Sequence, residues 1–267
     1  MSATISPLEE VARFLMGLDA ERKPRKCLVA DVSYAKRLEI RVIAPEDIRD
    51  DFDVEFVPTE TVTLYKSIKE LVQRHHSTLI FTNTRSGAER VSYKLSEMFE
   101  AESIGTHHSS LSREVRLSVE ERLKSGEMKA VACSSSLELG IDIGALDACI
   151  LVGSPKSTPR LIQRVGRSGH QLTAAAEGYL LVTDLDDLVE CIVLAKRAIE
   201  RKLDRIRVVG CALDVLAQHI VGMSLEKKWQ VDEAFALVRR AYPYRNLTRE
   251  QFISVLRYLS GKYSELE

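Results

Sequence analysis

Four short apolar runs, at residues 78–82, 129–133, 148–152 and 179–183, are separated by stretches whose apolar side chains recur at helical spacing. In 86–99 these are Ala88, Val91, Leu95 and Met98, and in 112–123 they are Val115, Val119 and Leu123. A strand that is apolar on both faces must be covered on both, and strands alternating with amphipathic helices are connected most simply in parallel. The expectation is an α/β sandwich of the nucleotide-binding type. Upstream, 27–33 and 37–43 alternate β-branched or aliphatic with polar residues around a short polar break at 34–36, which predicts a hairpin at the entry to the domain. From 185 onward helical spacing dominates, over 185–202, 212–223, 231–241 and 248–260, and the chain changes character near residue 203.

With 45% apolar residues in 267, the chain has the material for one large core or two modest ones. Charged residues make up 29% of it, but the formal net charge is only -1, so any attraction for phosphate has to come from a local patch. The five cysteines are widely spaced, with no C-x-x-C pair, which fits buried thiols in a reducing cytoplasm and argues against a zinc site. The N-terminus lacks the plan of a signal peptide, and no apolar stretch reaches the roughly 18 residues of a membrane span. The chain reads as soluble and cytoplasmic, with no membrane partner.

Polar segments follow the apolar runs. Leu79-Ile80-Phe81-Thr82-Asn83-Thr84-Arg85 leads into Gly87-Ala88-Glu89 at the start of a helix. Further on stands His107-His108-Ser109-Ser110-Leu111-Ser112-Arg113-Glu114-Val115-Arg116. The strand ending at Cys133 opens into Ser134-Ser135-Ser136-Leu137-Glu138-Leu139-Gly140-Ile141-Asp142-Ile143-Gly144. About thirty residues later comes Gln163-Arg164-Val165-Gly166-Arg167-Ser168-Gly169-His170, on a helix that begins after Pro159. Small polar residues at a strand's carboxyl end are where α/β sheets gather amides and hydroxyls for ligands.

In this order these segments resemble motifs IV, the intervening motif, V and VI of superfamily 2 helicases, and Ser2-Ala3-Thr4 is similar to the S-A-T of motif III. The resemblance implies that Arg167 is an arginine finger on the γ-phosphate, with Arg164 and Gln163 beside it as catalytic residues. A planar guanidinium suits the charge that spreads over a transferring phosphoryl group. It further implies that Gly140 and Asp142 face the nucleotide together with Arg167 and with His170, which stands where the third arginine of the DEAD-box pattern would be. Nucleic-acid contacts are implied for Thr82, Asn83, Thr84, Arg85, His108, Ser109, Ser134 and Ser135, with Arg85 as the best match to a backbone phosphate. The paired histidines lack carboxylate or cysteine partners at ligand spacing, so no metal site is expected.

The S-S-x-L-E-L-G-I-D-I-G and Q-R-x-G-R-S-G-H segments are most similar to those of the large helicase-related (Lhr) family. That resemblance implies a RecA-like parallel sheet with helices on both faces, followed by a mostly helical, winged-helix-like domain. The boundaries expected are 1–25 for the tail of a first RecA-like domain with motif III, 26–202 for the second RecA-like domain and 203–267 for the start of the winged-helix region. Both ends read as cut.

Nowhere does the chain carry G-x-x-x-x-G-K-[ST], the loop that cradles β- and γ-phosphates, and Gly261-Lys262-Tyr263 is not a match. Asp232-Glu233-Ala234-Phe235 reads as the acidic first turn of a helix. The expected function is therefore one half of an ATP-dependent 3′ to 5′ DNA helicase, with ATP and Mg2+ as cofactors and the Mg2+ ligands outside this chain. The fragment alone is expected to be inactive as an ATPase. Its partners are single-stranded or partly duplex DNA, with RNA as the alternative strand, and the missing first RecA-like domain. The competing reading is an ATP-independent nucleic-acid-binding or regulatory module of helicase ancestry. The basic residues Lys196, Arg197, Arg201, Lys202, Arg205 and Arg207 have two readings, a path for a strand whose phosphates a basic groove tracks without reading sequence, or, interspersed with Glu200 and Asp204, a solvated helix face, which is the preferred one.

Overall fold

In the computed structural model the described residues are 4–31, 37–44, 59–138, 143–144, 146–169 and 175–261. They form two compact units, one of 1–4 with 32–204 and the other of 5–31 with 205–267.

The first unit is built on a six-stranded sheet with order β1-β6-β5-β2-β4-β3 and every pairing parallel. The strands are β1 (Leu38–Ile43), β2 (Thr78–Thr82), β3 (Ile104–His107), β4 (Ala130–Cys133), β5 (Ala148–Val152) and β6 (Ala176–Leu181). Side chains along a strand alternate between faces, and here both faces are apolar. Leu79, Phe81, Val131, Cys133, Cys149, Leu151 and Leu180 pack under helices α4 (Arg113–Lys124), α5 (Thr158–Val165) and α6 (Leu185–Ile199). Ile80, Ala130, Ala132, Ile150, Tyr179 and Leu181 pack under α2 (Thr59–Arg74) and α3 (Arg85–Ser96). The four runs that read as buried strands are all strands. β3, only four residues long and containing Gly105, has too little periodicity to stand out in the sequence.

The hairpin expected at the entry does not form among the described residues. β1 pairs in parallel with β6, Leu38 to Ala176 through Ile43 to Leu181, and residues 27–31 carry no strand. Residues 27–31 are all exposed, Leu28 at 97%, and β1 takes its backbone partners from β6. Residues 32–36, the end of the expected first strand and the expected turn at 34–36, lie outside the described residues.

Polar side chains start the helices at the carboxyl ends of the strands. Thr84 Oγ1 accepts from Gly87 N at 3.0 Å to cap α3, Ser112 caps α4, Ser157 caps α5 with Pro159 in its first turn, and Asp184 caps α6. Each satisfies an amide that a helix start leaves without a partner. Asp187, in the first turn of α6, is buried and joins two loops, since its carboxylate accepts from Ser154 N at 2.8 Å and from Thr183 N at 3.3 Å and Oγ1 at 3.1 Å.

The second unit packs α1 (Leu8–Met16), α7 (Leu213–Glu226), α8 (Val231–Val238) and α9 (Arg249–Leu259). Its core holds Leu216, Ala234, Val238, Tyr244, Leu247, Phe252 and Val255, with Phe235 and Phe252 ring centroids 5.4 Å apart. Asp232 and Glu233 lie in the first turn of α8, as their spacing indicates. α9 begins with a reciprocal capping box between Thr248 and Gln251. Among the described residues no helix is long and apolar enough to cross a membrane.

Helix α5 approaches β6 closely at Gly178, where an added Cβ would stand 2.4 Å from Val165 Cγ2, and Val165 is fully buried. A branched core side chain cannot give way over that distance, so Gly178→Ala is expected to destabilise the first unit by about 1–3 kcal/mol. The check is thermal unfolding followed by circular dichroism, with a midpoint several degrees lower; an unchanged midpoint contradicts the close approach.

Candidate nucleotide and nucleic-acid interface

Because β2, β4 and β3 are adjacent and parallel, their carboxyl ends bring three distant segments onto one rim. The segment after β2 carries Thr82 to Arg85, the one after β3 carries His108 to Ser112, and the one after β4 carries Ser134 to Glu138. Asn83, Thr84, Arg85, Ser109 and Ser135 are exposed on it and Ser134 is half-buried, whereas Thr82 and His108 are buried. The eight residues singled out for nucleic acid thus divide into six that present polar groups and two that hold the rim in shape.

Thr82 Oγ1 donates to Thr84 O at 2.8 Å and lies 3.4 Å from Cys133 O, tying the end of β2 to β4. Asn83 Nδ2 donates to Ser154 O at 2.9 Å in the loop after β5. Arg85 Nη1 donates to Ser110 Oγ at 2.7 Å, bridging the loops after β2 and β3. His108 Nδ1 accepts from Ser110 N at 3.3 Å, so its Nε2 carries the proton facing Glu89 Oε1 at 2.7 Å. A cleft of about 420 Å³ opens beside Thr82, Asn83 and Thr84, and its lining balances Arg90 and Lys156 against Asp184 and Asp187, with Lys156 also 2.6 Å from Glu190.

The motif VI segment was expected on a helix, but α5 ends at Val165, so Arg164 stands on the helix and Arg167 in the turn after it, and both reach one residue. Arg164 is only 4% exposed; its Nε lies 3.2 Å from Glu138 Oε2, and its guanidinium sits 5.1 Å from the centroid of Phe81. Arg167 is half-buried and donates to the backbone carbonyl of the same Glu138, from Nε at 3.2 Å and from Nη2 at 3.0 Å. A third arginine, Arg160, lies 3.9 Å from Glu138 Oε1 and is largely exposed. Gln163 Nε2 donates to Thr4 Oγ1, which joins the motif VI helix to the last residue of the S-A-T segment. Gly169, with φ +69°, turns the chain away behind α5, and a Cβ there would meet Ala175 O at 2.8 Å.

Glu138 was not among the residues singled out from the sequence. The signal was present: an acidic side chain inside a run of small and aliphatic residues, followed by a segment with two arginines. Gly140, Asp142 and His170, expected at the nucleotide, lie outside the described residues, as do Ser2 and Ala3. Among the described residues no cluster of three or more His, Cys, Asp or Glu converges as a metal site.

Comparison with known proteins places this arrangement. Residues 63–171 match the helicase conserved C-terminal domain, and residues 196–267 match the winged helix domain of large helicase-related protein. The chain is 56% identical over 269 residues to ATP-dependent helicase Lhr-Core protein 2 of Thermococcus barophilus. It is 52% identical over 273 residues to ATP-dependent helicase Lhr-Core of Methanothermobacter thermautotrophicus. All of this chain is covered in both, but it spans only 31% of the length of either relative. The structure of Mycobacterium smegmatis helicase Lhr bound to ssDNA and AMP-PNP superposes with a TM-score of 0.80 at 36% identity, over 96% of this chain and 33% of that one. The parallel sheet is therefore the RecA-like helicase C-terminal fold, and the helical unit that follows accords with a winged helix. With two family-specific domains in sequence order and relatives aligned along its whole length, the chain belongs to the large helicase-related family.

Proposed function

We propose that this chain is the second motor domain and winged-helix region of an ATP-dependent 3′ to 5′ DNA helicase, supplying the arginine finger and part of the strand-binding surface. The observation that carries this reading is the grip of Glu138 on Arg164 of α5 and on Arg167 in the turn after it. Its carboxylate neutralises buried Arg164, and its carbonyl orients half-buried Arg167. An arginine fixed at Nε and Nη2 has lost most of its rotamer freedom before any ligand arrives, which lowers the cost of directing it at a phosphate. In this reading Arg167 is the finger, Arg164 sets the position of the helix behind it, and Gln163 reports to the S-A-T segment through Thr4.

ATP supplies the scissile phosphoryl bond when bound. The reading assigns Arg167 to the charge that develops on the γ-phosphate and Gly140, Asp142 and His170 to the nucleotide beside it. With no phosphate-cradling lysine loop in the sequence and no converging acidic cluster among the described residues, the Mg2+ ligands and the main phosphate grip belong in this proposal to the partner lobe. It follows that the fragment alone does not turn over ATP. The Mycobacterium smegmatis relative is described with ssDNA and AMP-PNP, which favours a motor over an ATP-independent binding module.

The strand-binding surface in this proposal is the exposed rim of Asn83, Thr84, Arg85, Ser109 and Ser135 with Ser134, underpinned by Thr82 and His108. A phosphate beside Arg85 competes with Ser110 Oγ for a guanidinium that already sits at the helix start.

In the full-length protein, Arg167→Ala is expected to leave the nucleotide Kd within a few-fold while kcat for ATP falls by about 10³-fold or more, the range found for arginine fingers. Steady-state turnover with a fluorescent-nucleotide titration checks it, and near-normal kcat removes Arg167 from the role. Arg85→Ala is expected to weaken single-strand binding and to reduce the slope of log affinity against log salt by about 0.7, one phosphate's worth for a single strand. Binding measured at several salt concentrations decides this, and an unchanged slope takes Arg85 off the strand.

A further inference from the structure

The adjacent histidines leave β3 toward opposite sides of the sheet, and each is met there by a carboxylate from a different helix. His108 faces Glu89 of α3, whereas His107, 1% exposed, lies between Glu120 of α4 and Ser136 of the loop after β4. Its Nε2 stands 2.9 Å from Glu120 Oε1 and its Nδ1 2.7 Å from Ser136 Oγ, while that hydroxyl is also 2.8 Å from the carbonyl of His107 itself.

We propose that His107 is a positioning residue, which through Ser136 fixes the loop after β4 and so sets where Ser134 and Ser135 stand to receive a strand phosphate. This rests on the proposed reading of that loop as a strand-binding element and adds the group that shapes it.

The proton inventory supports the role. The Glu120 carboxylate only accepts, so Nε2 carries a proton whether the ring is neutral or charged, and Nδ1 is the nitrogen that titrates. In the neutral ring the Ser136 hydroxyl donates to Nδ1. In the imidazolium Nδ1–H donates to Oγ, and the hydroxyl turns to the His107 carbonyl. Ser136 stays tied in both states, but the bond reverses and a positive charge appears at the foot of the loop. Burial pushes the His107 pKa below its ordinary 6.5, Glu120 opposes that shift, and Arg116 and His108 reinforce it. Cys133, in register with His107 on β4, has its thiol pushed far up by burial and stays neutral. Because the folded pKa lies below the unfolded one, the stability linked to His107 is present above about 6.5 and declines as pH falls through the folded value. The strand, in contrast, prefers the charged form, so affinity gains from protonation as pH falls.

The test uses the full-length protein as wild type, Ser136→Ala, His107→Gln and the double variant. Single-strand binding is measured by fluorescence anisotropy at steps from pH 8 down to pH 5, and hydrogen–deuterium exchange over 134–138 is followed without strand or nucleotide. Ser136→Ala is expected to weaken binding at pH 8 by about three- to ten-fold, the scale of one lost hydrogen bond. The double variant is expected to match Ser136→Ala within two-fold, because His107 acts through that hydroxyl. Exchange over 134–138 rises in both single variants, and the tightening of wild type as pH falls from 8 to 5 shrinks in His107→Gln. If His107→Gln does not fold, Glu120→Gln takes its place; it keeps an acceptor on Nε2, withdraws the charge that favours the imidazolium, and is expected to shrink the same tightening. Losses that add in the double variant, or exchange that does not change, overturn the positioning role. A wild-type protein that binds no strand defeats the strand-binding reading, and the exchange measurement then decides the role of His107 alone.

Discussion

A guanidinium almost wholly removed from water is tolerable only beside a negative charge, and in this chain Arg164 finds it in the carboxylate of Glu138. Leaving such a charge unpaired costs several kcal/mol, a large fraction of the stability of a domain. The ion pair therefore fixes the separation between the loop after β4 and the helix α5, and the backbone carbonyl of the same glutamate is carried into reach of Arg167. Phe81 closes the arrangement from below by offering its ring face to Arg164. One residue thus makes the position of half-buried Arg167 a consequence of the position of buried Arg164.

The parallel sheet supplies the other half of this economy of parts. Because every strand runs the same way, segments far apart in the chain end on one edge, and short side chains join them: Thr82 to Cys133, Asn83 to Ser154, Arg85 to Ser110 and Ser136 to His107. Several residues that look like ligand contacts in a linear sequence are these joints. His108 and Thr82 are buried, and the rim shows solvent the residues that follow them, Ser109 and Asn83.

How much of this was legible beforehand follows from the range of the interactions. The strands at 78–82 and 148–152 announce themselves because burial on two faces leaves a run of aliphatic residues, and the polar segments after them follow from sheet geometry. The helix starts were readable too, since Thr84, Ser112 and Asp184 act within three residues of their own position. Glu138 with Arg164, and His107 with Glu120 and Ser136, are pairings across 13 to 29 positions that no local period records. The alternation at 27–33 misled for the same reason in reverse: a strand-like pattern specifies a strand only where a neighbour offers its hydrogen bonds, and the neighbour of β1 is β6, more than a hundred residues away.

Asp187 has a mechanical meaning as well as a structural one. Its two carboxylate oxygens take one backbone amide from the loop after β5 and another from the loop after β6, and Asn83 binds the first of these loops from β2. A pull on the Ser154 backbone is accordingly divided among three neighbouring strands, each loaded along its length, where many inter-strand bonds resist together instead of opening one after another.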